Sequence, residues 1–143
     1  MTYVIDSNVL VYALDSGHPE RKARAVAWLA FLAQREEGVL STQALSELSR
    51  VCLGKLRPTW SPDRVADHVH ALARSFKVVP VTTAVVGEAL RGVRDHRLSY
   101  FDAQVWAAAR LNEVPFLLTE NMATGATLDG VTIIDPFMVE PGV

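Results

Sequence analysis

The chain has 143 residues, half of them apolar and 21% charged, with a formal net charge of −2. That is enough chain for one hydrophobic core and the composition of an ordered globular domain, which excludes a disordered or fibrous chain. It also excludes a protein that grips nucleic acid by bulk positive charge, so any polynucleotide contact must rest on local Arg and Lys plus a bound cation.

The opening Met1-Thr2-Tyr3-Val4-Ile5-Asp6 lacks the basic start and apolar core of a signal peptide. No apolar run approaches the ~20 residues needed to span a bilayer, so a cytoplasmic protein without membrane contact is expected. Thr2 to Ile5 is short, β-branched and aromatic, and it ends at Asp6-Ser7-Asn8, a polar cluster typical of a strand-to-helix turn. Pro19 to Glu37 reads as a helix with Ala23, Val26, Ala27, Ala30 and Phe31 on one face, opened by Pro19 and stopped by Gly38. Val39 to Ser41 reads as a second strand. Thr42 to Leu53 reads as a helix whose apolar side is Ala44, Leu45, Leu48, Val51 and Cys52. Cys52 is the only cysteine; it rules out an internal disulfide and reads as a small buried hydrophobe.

Leu56 to Pro62 is the clearest loop, and Ser61 or Pro62 opens a helix to about Phe76. Lys77 to Val81 is a third strand. Thr82 to about His96 is helical, with Gly87 and Gly92 weakening it or allowing close packing. Ser99 starts a helix through about Asn112, Pro115 to Thr119 is a fourth strand, and Val131 to Ile134 a fifth. Strands alternating with helices point to an α/β fold with a mainly parallel sheet, read here as one domain over residues 1–143. Active sites of such sheets lie beyond the carboxyl ends of the strands.

Four acidic or amide positions stand at the ends of apolar runs: Asp6, Glu47, Asp102 and the Glu120-Asn121 pair. Asp6 suits a helix cap, but Ser7 and Asn8 can fill that role and leave Asp6 free to face a crevice. Glu47 lies on the flank of its apolar stripe, between Ala44 and Val51, where it can reach a pocket rim. Asp102 suits a helix first turn with Ser99 as cap, yet it is in line with Val105, Trp106 and Ala109 on the inward face. A charge placed there requires a cation or dense hydrogen bonding. Asn121 suits a turn, and can also offer a carbonyl oxygen to a metal or hold a ligating water.

Two carboxylates roughly 4 Å apart repel by about 4 kcal/mol at an effective dielectric near 20, which a divalent ion reverses. Oxygen donors suit Mg²⁺ or Mn²⁺, and no Cys or His spacing points to zinc. His18, His68, His70 and His96 are scattered and read as surface or packing residues. A metal-dependent hydrolase, with phosphodiesters as the best-suited substrate, is the reading these residues favour.

Val4 to Ala13 closely resembles the opening of PIN-domain nucleases, in particular VapC-type toxins of VapBC toxin–antitoxin systems. Ser99-Tyr100-Phe101-Asp102-Ala103 with the Ala-rich helix after it resembles that family's third-acid segment. Leu117 to Met122 and Gly130 to Phe137 resemble its last two blocks. The resemblance implies a PIN-like domain with a central five-stranded, mainly parallel sheet flanked by helices. It implies a Mg²⁺- or Mn²⁺-dependent endoribonuclease that cuts RNA, leaves a 5′-phosphate and a 3′-hydroxyl, and shuts down translation. Asp6, Glu47 and Asp102 would be the metal ligands and catalytic acids, Glu47 also steering the attacking water, with the Thr119 hydroxyl behind them. The family commonly has Asp where this chain has Asn121, so the fourth acid is missing and Glu120 stands beside the gap. A homodimer and a small VapB-type antitoxin are implied as partners. Trp28, Phe31, Leu56 and Trp60 would be antitoxin contacts or core, and Arg50, Lys55, Arg57, Arg91, Arg94 and Arg97 would supply positive charge for RNA.

Three rival readings stand beside this one. A haloacid-dehalogenase-type phosphatase needs a second acid two residues after the first, where this chain has Asn8. A receiver-like module needs an acidic pair near the first strand and a Lys after the last, and neither is present. A degenerate PIN domain would bind RNA or a protein without cutting.

Overall fold

The computed structural model describes residues 1–142. Six strands and six helices follow one another as β1 (Tyr3–Ile5), α1 (Ser7–Tyr12), α2 (Pro19–Arg35), β2 (Gly38–Ser41), α3 (Thr42–Gly54), α4 (Pro62–Ser75), β3 (Lys77–Val79), α5 (Thr83–His96), α6 (Tyr100–Leu111), β4 (Phe116–Leu118), β5 (Thr127–Leu128) and β6 (Val131–Ile134). The sheet order is β3-β2-β1-β4-β6-β5. Every pairing is parallel except β5 with β6. The sheet therefore has six strands rather than the expected five. The extra one, β5, is a two-residue antiparallel edge too short to leave a periodic signal in the sequence.

Strand side chains alternate between two cores, as a period of two demands. Ile5, Leu40 and Leu118 join Trp28, Leu32, Leu48 and Cys52 beneath α1, α2, α3 and α4. Their neighbours Val4, Val39 and Leu117 join Val85, Ala89, Trp106 and Ile133 beneath α5 and α6. With helices on both faces, a continuous apolar run such as Val4-Ile5 is what a central parallel strand requires.

Local chemistry fixes most of the ends. Ser41, Ser61 and Thr82 cap α3, α4 and α5, each side chain accepting from a backbone N–H in the first turn. Gly38 does not stop α2. Glu36 ends that helix in the left-handed region at φ 56°, and Gly38 begins β2. A Cβ on Gly38 would lie 2.5 Å from Phe76 Cδ1, so the glycine is demanded by the ring packed against it. Gly92 likewise admits the indole of Trp106, whereas Gly87 faces open space. Trp28 is buried, and its Nε1–H donates to the carbonyls of Pro136 and Val139, pinning the C-terminal segment to α2. That makes Trp28 a core residue rather than a contact surface.

Candidate functional site

Strand order places β1 and β4 side by side at the sheet's centre, where the chain reverses its direction of winding. Chain leaving β1 enters α1 on one face, while β4 is reached from α6 on the other. A crevice opens at such a switch point beyond the carboxyl ends of the two strands. Asp6 follows β1 and Thr119 follows β4, and the two strand ends are joined by Asp6 N–H donating to the Leu118 carbonyl at 3.0 Å.

Asp6 is only 5% exposed. It is the N-cap of α1, with Oδ1 accepting from Ser7 N–H at 2.7 Å. Its Oδ2 accepts from the Thr119 hydroxyl at 2.8 Å and from Asn8 Nδ2 at 3.3 Å. Capping and facing the crevice are thus done by the same residue, because its two oxygens point to different partners. Burial pushes the Asp6 carboxyl up to about 6, against the pull of the Thr119 and Ser7 donors; the negative fields of Glu47 and Asp102 push it the same way. Thr119 is fully buried and its oxygen also accepts from Asn121 N–H at 3.1 Å and from Asn8 Nδ2 at 3.1 Å.

Glu47 sits half-buried on α3, with Oε1 accepting from the Ser7 hydroxyl at 3.1 Å and from Gln43 Nε2 at 3.3 Å. Asp102 is half-buried in the first turn of α6 and accepts from the Ser99 hydroxyl at 2.9 Å. Ser99 thus spends its side chain on Asp102 rather than on capping the helix. The residues linking these acids come from both helical layers. Gln43 Nε2 also donates to the Phe101 carbonyl at 3.1 Å; Gln104 Nε2 donates to Gln43 Oε1 at 2.9 Å; and the Tyr100 hydroxyl donates to Gln104 Oε1 at 2.8 Å. Gln43 and Gln104 are each 8% exposed. This buried chain of amides ties the helix carrying Glu47 to the helix carrying Asp102, and sequence reasoning misses it. A polar residue amid the apolar side of each helix is the one signal that could have found it.

The Glu120-Asn121 pair separates. Glu120 forms an ion pair with Arg21 of α2, whose guanidinium lies 4.6 Å from the Phe137 ring centroid. The Asn121 side chain is exposed and its contact with the site is through its backbone N–H.

Among the described residues, no three or more His, Cys, Asp or Glu side chains close around a common point as metal ligands. Each acid is turned instead to its nearest donor: Asp6 to Thr119 and Ser7, Glu47 to Ser7 and Gln43, Asp102 to Ser99. Like charges repel, so this is how three carboxylates settle when only local hydroxyls and amides are at hand. The set still fits a hard divalent cation. Its donors are all oxygen, and none of the ion pairs among the described residues involves Asp6, Glu47 or Asp102. The buried Asn8 Oδ1 beside Asp6 also has no hydrogen-bond partner, an acceptor left over in a site already rich in acceptors.

A parallel α/β sheet thus carries a buried acid at its switch point, with two more acids brought towards it from opposite helical layers and only oxygen donors among the three. The PIN domain family model matches residues 3–122. The chain therefore belongs to the PIN domain family. No curated protein matches its sequence. Its fold is similar to that of a toxin–antitoxin complex from Klebsiella pneumoniae, with TM-score 0.65 and 19% identity, covering 94% of this chain and 98% of that one. It is also similar to VapC20 of Mycobacterium tuberculosis, a sarcin–ricin loop cleaving toxin, with TM-score 0.62 and 16% identity, covering 90% and 98%. VapBC2 from Rickettsia felis, bound to a DNA fragment from its promoter, gives TM-score 0.63 and 14% identity, covering 93% and 97%.

Proposed function

We propose that this chain is a metal-dependent endoribonuclease and the toxin of a VapBC-type toxin–antitoxin pair, acting in the cytoplasm as a single PIN domain that dimerises. The observation that carries the reading is Asp6: a carboxylate buried at the central strand's end, in the negative field of Glu47 and Asp102, with no ion pair among the described residues to offset it. Family membership and the toxins among proteins of similar fold support it, as does the absence, among the described residues, of a helix long and apolar enough to cross a membrane. A cognate VapB-type antitoxin would be the protein partner.

Asp6 and Asp102 would hold a Mg²⁺ or Mn²⁺ ion, with Glu47 completing the set. Such an ion activates water and offsets charge developing on a phosphoryl oxygen. Thr119 and Ser7 hold Asp6 in one rotamer, with a lone pair of Oδ1 left for an ion. Glu47 would act as the base, orienting a water for in-line attack and taking up its proton. As the new P–O bond to that water forms, the P–O3′ bond breaks and the departing O3′ takes a proton from solvent, leaving a 5′-phosphate and a 3′-hydroxyl. Gln43, fixed by Gln104, keeps the Glu47 carboxylate aimed. Glu120, being paired with Arg21, is given a structural role at the rim, and Asn121 no charge-bearing one.

The test is cleavage of a panel of cellular RNAs in Mn²⁺, in Mg²⁺ and in chelator, by the parent and by Asp6→Asn and Asp102→Asn. Metal-dependent cutting by the parent, lost in both variants, is expected. Equal behaviour of all three proteins would leave a PIN domain that binds without cutting.

A further inference from the structure

The acids that would cut RNA also repel it, and the chain as a whole is negative, so a substrate has to be held elsewhere. Several of the arginines are already engaged. Arg91 pairs with Glu88, Asp95 and Asp129, Arg94 with Asp95, Arg110 with Glu88, and Arg24 with Glu140. Lys22, Lys55, Arg57 and Arg64 take part in none of the ion pairs among the described residues, and these four gather at one place.

Lys22, Arg57 and Arg64 line a cavity of about 340 Å³ together with Ser16, Trp60 and the end of α1, and no carboxylate lines it. An adjoining cavity of about 400 Å³ adds Lys55 and shares Arg57. Its one acid, Asp15, is occupied by Gly17 N–H and His18. The cations are ordered rather than loose. Arg64 lies 3.9 Å over the Trp60 ring, Arg57 donates to the Gly54 and Leu56 carbonyls, and Lys22 donates to Ser16 Oγ. The Trp60 backbone is itself anchored, its amide N–H donating to the Cys52 carbonyl at 2.9 Å. Cations gathered without a facing carboxylate in a concave site raise the local positive potential and favour an anion there.

The cavity and the acid site are joined by α1. Asp6 caps its start, and Ala13 and Leu14, just past its end, line the cavity. Six helical residues span about 9 Å, a distance that neighbouring phosphodiesters of one strand can bridge. We propose that this cavity binds the phosphodiester backbone of single-stranded RNA next to the scissile position, with Arg57, Arg64 and Lys22 as the phosphate contacts. The proposal rests on the nuclease reading for its substrate class, but it makes a separate claim about where the polymer lies. Its occupant is a polyanion because the lining is cationic, and that polyanion is nucleic acid because the cavity lies one short helix away from the acid site.

The test is fluorescence anisotropy of a labelled, mixed-sequence RNA dodecamer in chelator, so that binding is read without cleavage. The parent is compared with the double variant Arg57→Gln plus Arg64→Gln. The charge-matched control is Arg74→Gln plus Lys77→Gln, at the end of α4 and the start of β3, neither of which lines either cavity. All four side chains are exposed, so folding is preserved, with circular dichroism as the check. The cavity pair should weaken binding at least tenfold and make the log–log salt dependence shallower by about 1.4, or roughly 0.7 per lost phosphate contact. The control pair should change neither. Equal losses in both pairs would mean diffuse attraction only and would overturn the proposal. Unchanged affinity in the cavity pair would also overturn it, leaving the cavity for an acidic protein segment. Metal-dependent cleavage that Asp6→Asn abolishes, with both pairs binding alike, removes this subsite and keeps the nuclease. Binding lost in the cavity pair without any cleavage by the parent does the reverse.

Discussion

Replacing Asp6 with Asn should make the metal-free protein more stable. A carboxyl that ordinarily titrates at 3.8 is pushed up to about 6 in the folded chain. A tenfold change in proton affinity is worth about 1.4 kcal/mol, so the ionised Asp6 costs the folded state roughly 3 kcal/mol at neutral pH. The sign follows from proton binding. With its folded value raised, the native chain holds more protons than the unfolded one between those two values. Stability therefore falls as pH rises through that window and levels off above it. Asn keeps the shape and drops the charge. Its Oδ1 still accepts from Ser7 N–H, and its amide can donate to Thr119 Oγ1. The Asn8 side chain can then turn to present Oδ1, the buried atom that now lacks a partner. Discounting for imperfect replacement of the hydrogen bonds, a gain of about 1–3 kcal/mol is expected in chelator at pH 7.5. Urea unfolding read as a shift in midpoint at constant slope measures it. At pH 4.5 the gain should shrink to less than half. Adding Mn²⁺ should close the gap, because an ion that binds only the folded parent stabilises the parent alone. A variant less stable than the parent at pH 7.5, or a gain independent of pH, would refute the reasoning.

Gln43→Leu should lower kcat on RNA by about ten- to a hundredfold with little change in KM, since it frees the Glu47 carboxylate without touching the cation cavity, and should cost roughly 1–3 kcal/mol of stability by stranding Gln104; denaturation and steady-state kinetics separate the two effects. Thr119→Val removes a donor that holds the Asp6 carboxyl down, so the Asp6 titration midpoint in metal-free protein, followed by carboxyl carbon NMR, should move above about 6. Gly92→Ala brings a Cβ to 2.8 Å from Trp106 Cζ3 and should destabilise by about 1–3 kcal/mol. Gly87→Ala, in the same helix but facing open space, should stabilise by roughly 0.5–1 kcal/mol; thermal melts of the two compared with the parent decide the matter.

The elements that can be read from the sequence are those whose cause is local. Pro19 at the first turn of α2, Ser41, Ser61 and Thr82 as caps, and the apolar runs Tyr3–Ile5 and Phe116–Leu118 all announce themselves within a few residues. Gly38 misleads as a helix stop because its reason is Phe76, thirty-eight positions away. The β5 strand leaves no trace, since two residues establish no period. For the site, Asp6 at a strand end and Glu47 on the flank of its helix are legible as unusual positions for charge. What brings them together is not. Parallel strands can be ordered in many ways, and only the β2-β1-β4 order sets Asp6 beside Thr119. The same limit hides the pairing of Arg21 with Glu120, ninety-nine residues apart, which removes Glu120 from contention as a stand-in for the missing fourth acid. It also hides which arginines are consumed by acids, and so which remain for a polyanion.

Titration calorimetry of Mn²⁺ into the metal-free chain, repeated with Asp6→Asn, Glu47→Gln and Asp102→Asn, examines the shared site without reference to any RNA. Saturable binding by the parent, weakened at least tenfold by each substitution, is the expected result. Binding indifferent to all three, or touched by only one, would mean that these carboxylates do not act on one ion.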